Sequence, residues 1–425
     1  MLTDEVLDKV IDRVTNRIEK VNTYVLEQIG KSIAKVGKLT PSKAQQLEQL
    51  LKYGGDYDKI INEISKITKL NVKDIQKIFE EVAKSDYQFA KQFYDYRGKK
   101  FIPYKDNYVL QQQVEAIARQ TAQTYNNLSN TLAFAQRKNG RIVHTSLSQT
   151  YQDTIDKAIL GVSQGKTTFQ EEMYQTIKEL ASSGLKTINY ASGRSIRLDS
   201  AVRMNLKDGL RALHNQVQEI VGEEFDSDGV EISHHSNSAP DHIDTIDGKQ
   251  FAKIDIIKER IKNGEEKEIK LSDIQDNRVK VKGKWYYDFD YINNNLDRKT
   301  STLNCRHYEF SIVLGVSKPE YTKEELEKDK ERNENGCVID GKRYTLYETE
   351  QLMRKLELEI RKAKDEQIMG RASGIVENVE NAQKRISSLT KKYHEVIKTS
   401  GLPSKLDRAR VQNYHRVNVA KLKQK

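Results

Sequence analysis

The sequence predicts a predominantly α-helical protein with a small inserted α+β module rich in histidine and cysteine. Three observations carry that expectation. Long stretches space their apolar residues at helical intervals, leaving narrow stripes between charged faces. Hydrophobic types make up only 36% and charged types 32% of the 425 residues, with five prolines and one tryptophan, a composition that suits thin stripes on solvated helices. Between Glu231 and Thr322 this spacing gives way to short β-like pieces around two His/Cys clusters.

Residues 1–96 read as an N-terminal helical region. Leu7, Ile11, Val14, Ile18, Val21 and Val25 alternate steps of four and three residues, a heptad seam on one face. Thr3 or Asp4 can cap its start and Gly30 is expected to end it. A seam this short suits bundle packing or a short coiled coil better than a rod. Pro41 after Thr40 opens another helix, and helical segments continue to about Tyr96. Residues 97–108, containing RGKKFIPYKDN, read as a linker.

Residues 109–222 read as a central helical domain. Thr168 and Glu171 form a capping box ahead of the stripe Phe169, Met173, Ile177 and Leu180, and Gly184 stops that helix. Leu206, Leu210, Leu213, Val217 and Ile220 make the next stripe, ended at Gly222. Both stripes read as core.

Residues 223–319 form the α+β His/Cys module, with β-like pieces at Val230–Ser233, Val279–Val281, Trp285–Tyr287 and Tyr308–Leu314 between Gly, Asn and Asp turns. Residues 320–341 read as a charged, mobile connector. Residues 342–425 read as a C-terminal helical basic arm. Thr345 and Glu348 cap its first helix, which is laced by Glu350→Arg354 and Glu357→Arg361 pairs.

The length suggests about three structural units. The N-terminus is acidic and amphipathic, unlike a signal peptide, and no stretch approaches the ~18–20 apolar residues that span a bilayer. Two cysteines, 32 positions apart, make no disulfide framework, so folding in a reducing cytoplasm is expected. A net charge of +10 and a pI near 9.1 suit contact with a polyanion.

Chemistry concentrates in the module. The run Gly222–Gly248 holds eight carboxylates and no Lys or Arg, against the sign of the whole chain. His234, His235 and His242 lie in or beside that run, and Cys305 and His307 follow about sixty residues later. His234 or His235 with His242, Cys305 and His307 would supply the four N/S donors of a structural Zn²⁺ site. The same residues can instead form a network in which the histidines hydrogen-bond the acidic run and Cys305 is a small buried hydrophobe. A third reading makes Cys305 a thiolate nucleophile beside a histidine, or His242 a general base with Asp241 or Asp244. No HExxH, GxSxG or Gly-rich phosphate cradle accompanies it. Asp226-Ser-Asp228-Gly and Asp244-x-x-Asp247-Gly could bind Ca²⁺, but without the spaced Glu of a full loop they read as turns.

From Lys391 to Lys425 ten Lys/Arg face two carboxylates. Lys391, Lys392, Lys405, Arg408, Arg410, Arg416, Lys421, Lys423 and Lys425 are candidates for neutralising DNA phosphates without sequence preference. Tyr393, Tyr414 and His415 lie among them and can stack on exposed bases. The alternatives are a solvated tail or one docked on an acidic protein face. Arg97-Gly-Lys99-Lys100 is a smaller basic patch. Arg194, Arg197, Arg203 and Arg211 form a further set, suited to protein docking or to phosphate.

One family resemblance runs through these motifs. EISHHSNSAPDHIDTIDGKQF, then TLNCRHYEFSIVLGVSKPEYT, flanked by INYASGRSIRLDSAVRMNLKDGLRALHNQ and YETEQLMRKLELEIRKAK, resemble in order and spacing the phage minor capsid protein 2 family. The resemblance covers about Tyr104 to Tyr414. It implies a structural minor head protein of a tailed phage, made in the host cytoplasm and resident in the virion head, in the capsid interior or at the portal vertex. Its partners would be the portal protein, scaffold and major capsid proteins, and phage genomic DNA. Its role would lie in head assembly, packaging or ejection; the lack of a complete catalytic motif or cofactor fingerprint adds the expectation that it is not an enzyme. The competing readings are a virion-delivered nuclease or transferase using the His/Cys module, and a bacterial DNA-binding protein unrelated to phages.

Overall fold

The structure is a computed structural model. It describes residues 4–38, 55–138, 141–164, 166–188, 195–266, 268–300 and 305–423. The chain is predominantly helical with small antiparallel sheets. It groups into two compact units, each assembled from three segments: Met1–Leu7, Ile75–Thr121 and Leu206–Thr349 in one, Asp8–Asp74, Ala122–Asn205 and Glu350–Lys425 in the other. The contacts therefore do not group by consecutive stretches of chain.

In the second unit, the seam Ile11, Val14, Ile18, Val21 and Val25 is buried, as its spacing requires, and continues through Ile29, Ile33 and Val36. The helix Asp4–Gly37 thus runs past Gly30. Gly30 does not end it; a Cβ there would lie 2.8 Å from Ala372 Cβ, so this glycine permits a close approach of two helices. Pro41 and the helix expected after it lie outside the described residues.

The central region is less helical than expected. Strands Leu132–Lys138 and Arg141–Ser146 pair antiparallel, and Lys186–Ile188 and Ser195–Arg197 complete a four-stranded sheet. Helices Leu147–Gln164 and Lys166–Ser183 follow the hairpin. Gly184, at φ +61°, follows the second helix as expected; the Thr168 side chain lies outside the described ones. Two long helices, Leu346–Ser373 and Val376–Ser400, complete this unit. The expected helical character of the C-terminal arm is carried by these helices; beyond Ser400 the described chain is mostly irregular, with short turns of helix at Leu406–Ala409 and Val419–Lys423.

In the first unit, Thr345 and Glu348 form the expected box, each accepting from the other's backbone amide at 3.1 and 2.9 Å. The inserted module contains a sheet in the order Glu309–Ile312, Gly229–Ile232, Gln250–Ala252 and a meander of Ile274–Gln275, Arg278–Val281 and Lys284–Tyr287. Two small apolar clusters support it. Val230, Ile232, Ile246, Phe251 and Phe289 form one; Ala252, Ile257, Val279, Val281, Tyr286, Ile312 and Leu314 form most of the other. The connector carries regular structure. Thr322 and Glu325 cap a helix at Lys323–Asn335, and a hairpin of Cys337–Ile339 and Lys342–Tyr344 follows. Lys323–Asn335 is almost wholly charged and lacks an apolar stripe; its cap and its polar contacts hold it.

Candidate functional site

Strand register brings the two clusters together. Glu309 pairs with Ile232, and the ladder extends outward through the amide of Ser233, which donates to Tyr308 carbonyl at 2.9 Å. The same register sets His234 and His235 beside Arg306 and His307. After the His-rich turn, Pro240 opens the short helix Pro240–Ile243, which carries His242 at its inner end. The His242 carbonyl then accepts the amides of Thr245, Ile246 and Asp247, folding a tight turn that aims Asp247 back into the cluster.

Three of the five donors expected from the sequence converge there. His242, Cys305 and His307 are buried, at 0, 2 and 2% exposure. Cys305 Sγ lies 3.7 Å from His242 Nδ1 and 3.4 Å from His307 Nδ1, and the two Nδ1 atoms are 3.2 Å apart. Each imidazole is oriented from its other side. His242 Nε2 donates to the Arg298 carbonyl at 2.6 Å, and His307 Nε2 donates to Asp247 Oδ1 at 2.8 Å.

Asp247 is the hub of the surrounding network. Besides His307, its carboxylate accepts from Ser238 Oγ and the His235 amide, both at 2.9 Å, and from His234 Nδ1 at 2.6 Å. His234 Nε2 meets Asp329 Oδ2 at 2.8 Å, and Asp329, on the helix Lys323–Asn335, also accepts from Ser236. His235 Nε2 bonds to the Arg306 carbonyl. His234 and His235 are therefore not part of the converging set. His234 has a carboxylate at each nitrogen, and His235 turns to backbone.

The electrostatics follow from these contacts. Burial works against ionising Asp247, but the hydrogen bonds from His234 and His307 outweigh it and hold this carboxyl well below the usual range. Burial likewise opposes a charged His234, yet its two carboxylates raise its pKa. Burial would raise the Cys305 thiol, but the hydrogen bonds to His242 and His307 bring it down to about 5. His307 rises to about 9, against burial, through Asp247 and Cys305. The arrangement supports two chemistries: a thiolate–imidazolium pair, or a soft cation held by one sulfur and two nitrogens.

Several partners in this site are ones that sequence reasoning misses. Asp247 reads as a turn residue beside a glycine, Asp329 as part of a charged connector, and Arg298 acts through its carbonyl, which no side-chain pattern can mark. Arg211 donates to the Cys305 carbonyl and is itself buried.

The arginine set therefore requires correction as a docking face. Arg197 is buried among Glu19, Asp199 and Asp365, and half-buried Arg203 pairs with Asp12. Arg194 lies outside the described residues. The calcium reading of the Asp-Gly turns is not favoured by the carboxylates' partners: Asp247 is filled by donors, Asp228 Oδ1 accepts the Leu314 amide at 2.7 Å, and Asp226 pairs with Lys99.

The basic arm is docked on its own unit. Lys364 Nζ donates to Ala409 carbonyl at 2.7 Å, Gln367 to His415 carbonyl at 2.9 Å and Arg371 to Asn413 carbonyl at 3.1 Å, while Leu402, Ala409 and Val411 are buried. Lys405 reaches Glu350 at 3.8 Å, and Lys392 and Arg408 are half-buried. Lys391, Arg410 and Arg416 are exposed, Lys391 with Glu395 at 3.9 Å. The side chains of Lys421 and Lys423, and the whole of Lys425, lie outside what is described.

Fold and site together define a helix-rich protein carrying one compact His/Cys/Asp module. Among the described residues no helix is long and apolar enough to cross a membrane. The chain belongs to the phage minor capsid protein 2 family, whose family model matches residues 2–398. It is accordingly a minor capsid protein of the phage head. The match takes in the first hundred residues, which the motif resemblance leaves unassigned. No curated protein and no solved structure matches the chain.

Proposed function

We propose that this minor capsid protein is a structural, non-catalytic component of the portal vertex. In this reading it associates with the portal, scaffold and major capsid proteins during head assembly, and contacts packaged DNA during packaging or ejection. The observation that carries the reading is the family match over residues 2–398. Long helices with exposed charged faces offer lateral docking surfaces, and Lys391, Arg410 and Arg416 are each exposed and can meet phosphate.

One observation favours a second reading, a virion-delivered nuclease or transferase: Cys305 Sγ lies 3.4 Å from His307 Nδ1. Against it, Cys305 is only 2% exposed and its sulfur faces two imidazoles rather than a cleft.

Quantitative mass spectrometry of purified procapsids and virions tests the proposal. A small, fixed copy number relative to the portal protein, with cross-links between the two, is the expected result. Absence from virions, or a copy number matching the major capsid protein, would overturn it. So would hydrolysis or modification of nucleic acid by the purified protein that disappears in Cys305→Ser while portal association persists.

A further inference from the structure

We infer that the module holds a zinc ion, coordinated by His242 Nδ1, His307 Nδ1 and Cys305 Sγ. The inference is independent of where in the head the protein acts. Zinc–nitrogen and zinc–sulfur bonds of about 2.0 and 2.3 Å, at tetrahedral angles, set the nitrogens about 3.3 Å apart and each nitrogen about 3.5 Å from the sulfur. The observed separations are 3.2 Å between the nitrogens, and 3.4 and 3.7 Å from nitrogen to sulfur. Three donors thus form one triangular face of a zinc tetrahedron.

Tautomers point the same way. The Nε2 atoms of both histidines lie against acceptors, the Arg298 carbonyl and the Asp247 carboxylate, so each Nε2 carries its hydrogen. In neutral rings both Nδ1 atoms are then bare lone pairs, facing one another and the sulfur in a site nearly closed to water. Lone pairs at that distance repel unless a cation lies between them. One extra proton on a ring would satisfy one pair of contacts; a metal ion satisfies all three.

The surroundings are those that tune a metal ligand. A carboxylate or carbonyl behind each ligating imidazole fixes its tautomer and strengthens its donor nitrogen. Asp247 does this for His307, and is itself fixed by Ser238, His234 and the His235 amide. One thiolate and two imidazoles favour zinc over the hard oxygen-seeking cations. When the ion enters, the proton held between Cys305 and His307 leaves to solvent. The ion would tie the turn after Pro240 to the segment entering Glu309–Ile312, two stretches more than sixty residues apart.

The test uses the full-length protein purified without added metal, with zinc measured by mass spectrometry. About one zinc per chain is expected. Cobalt exchanged into the wild type should give the visible bands of a tetrahedral ion and a thiolate-to-cobalt charge-transfer band. Cys305→Ser should abolish the charge-transfer band. Asp247→Asn, which leaves all three ligands in place, should weaken zinc affinity about 10–100-fold. Because the cobalt spectrum needs no variant, a misfolded mutant does not blunt the test. The inference fails if wild-type protein, after incubation with zinc and desalting, retains less than about a tenth of an equivalent. It fails equally if cobalt gives no charge-transfer band, or if chelator-free protein is alkylated at Cys305 as fast as chelator-treated protein.

Discussion

Glu19→Gln should remove a pH dependence of stability that the buried charge network of the second unit imposes. Glu19, Asp199 and Asp365 are three buried carboxyls facing two guanidiniums. Arg197 lies 3.6, 3.2 and 3.3 Å from the three, and Arg361 lies 3.3 Å from Glu19 and also pairs with Asp199. Three acids against two bases leave one negative charge uncompensated, which a retained proton neutralises. Burial, then Asp199, push Glu19 up to about 8, against the pull of Arg197 and Arg361. A carboxyl whose folded pKa exceeds its unfolded value favours the native state at low pH. That contribution is lost as pH rises from about 4.5 towards 8. The slope approaches one proton, about 1.4 kcal/mol per pH unit, and the full window is worth on the order of 5 kcal/mol. Asp199 is held low by Arg197 and Arg361 despite its burial, so it loses stability only in acid, outside this window. The amide introduced by the substitution is neutral throughout. Asp365 is raised by burial as well and keeps its own contribution of the same sign, so urea unfolding followed by far-UV circular dichroism, from about pH 5 to pH 8.5, should show wild type weakening more steeply than Glu19→Gln, which becomes the more stable at the alkaline end. Parallel pH profiles for the two proteins would refute the retained proton.

Three further outcomes are expected. Replacing the exposed Lys391, Arg410 and Arg416 by Gln should weaken duplex DNA binding and reduce the slope of log affinity against log salt by up to about 3; an unchanged slope in filter binding would remove the arm from the DNA interface. Gly184→Ala should lower the urea midpoint by the equivalent of about 2 kcal/mol or more, because φ is +61° and the new Cβ would sit 2.2 Å from the buried Arg197 guanidinium; an unchanged midpoint counts against that packing. Tyr393→Phe should loosen the arm, since its hydroxyl donates to Glu357 at 2.8 Å and accepts the Lys405 amide at 3.0 Å; losing those partners costs about 1–3 kcal/mol and should speed hydrogen exchange across residues 402–417.

Where one periodicity dominates, the fold is legible. The N-terminal seam, the Thr345–Glu348 box and the four strand pieces of the module all appear, because local spacing and burial demand the same thing. Other elements are hidden for identifiable reasons. Leu132–Lys138 and Arg141–Ser146 lie in a region dominated by helical stripes, yet Asn139-Gly140 between alternating residues is a hairpin signal that the sequence contains. Gly30 resembles a helix stop, but its use is a close approach to Ala372, a contact more than three hundred residues away in sequence. The connector has almost no apolar residues, so composition alone argues for mobility. Its order comes from a capping box and from Asp329 reaching His234.

The site shows the same division between local and distant causes. Donor types can be read from the sequence, and all three converging ligands are among the five it marks. Choosing among those five requires knowing what lies behind each ring. Adjacent His234 and His235 are alike as residue types, but strand register sends one between two carboxylates and the other to a backbone carbonyl. His242 and His307 are selected because the Arg298 carbonyl and Asp247 occupy their outer nitrogens and turn the inner ones towards Cys305. The supporting acceptors, more than the ligands, therefore decide which residues can hold an ion. This predicts an asymmetry between the histidines: His234→Gln removes a donor to Asp247 but no ligand, and should leave about one zinc per chain, whereas His242→Gln should lose it. Equal zinc loss in the two variants, with folding intact in both, would mean that the ion is held by a different set of donors from the one this geometry selects.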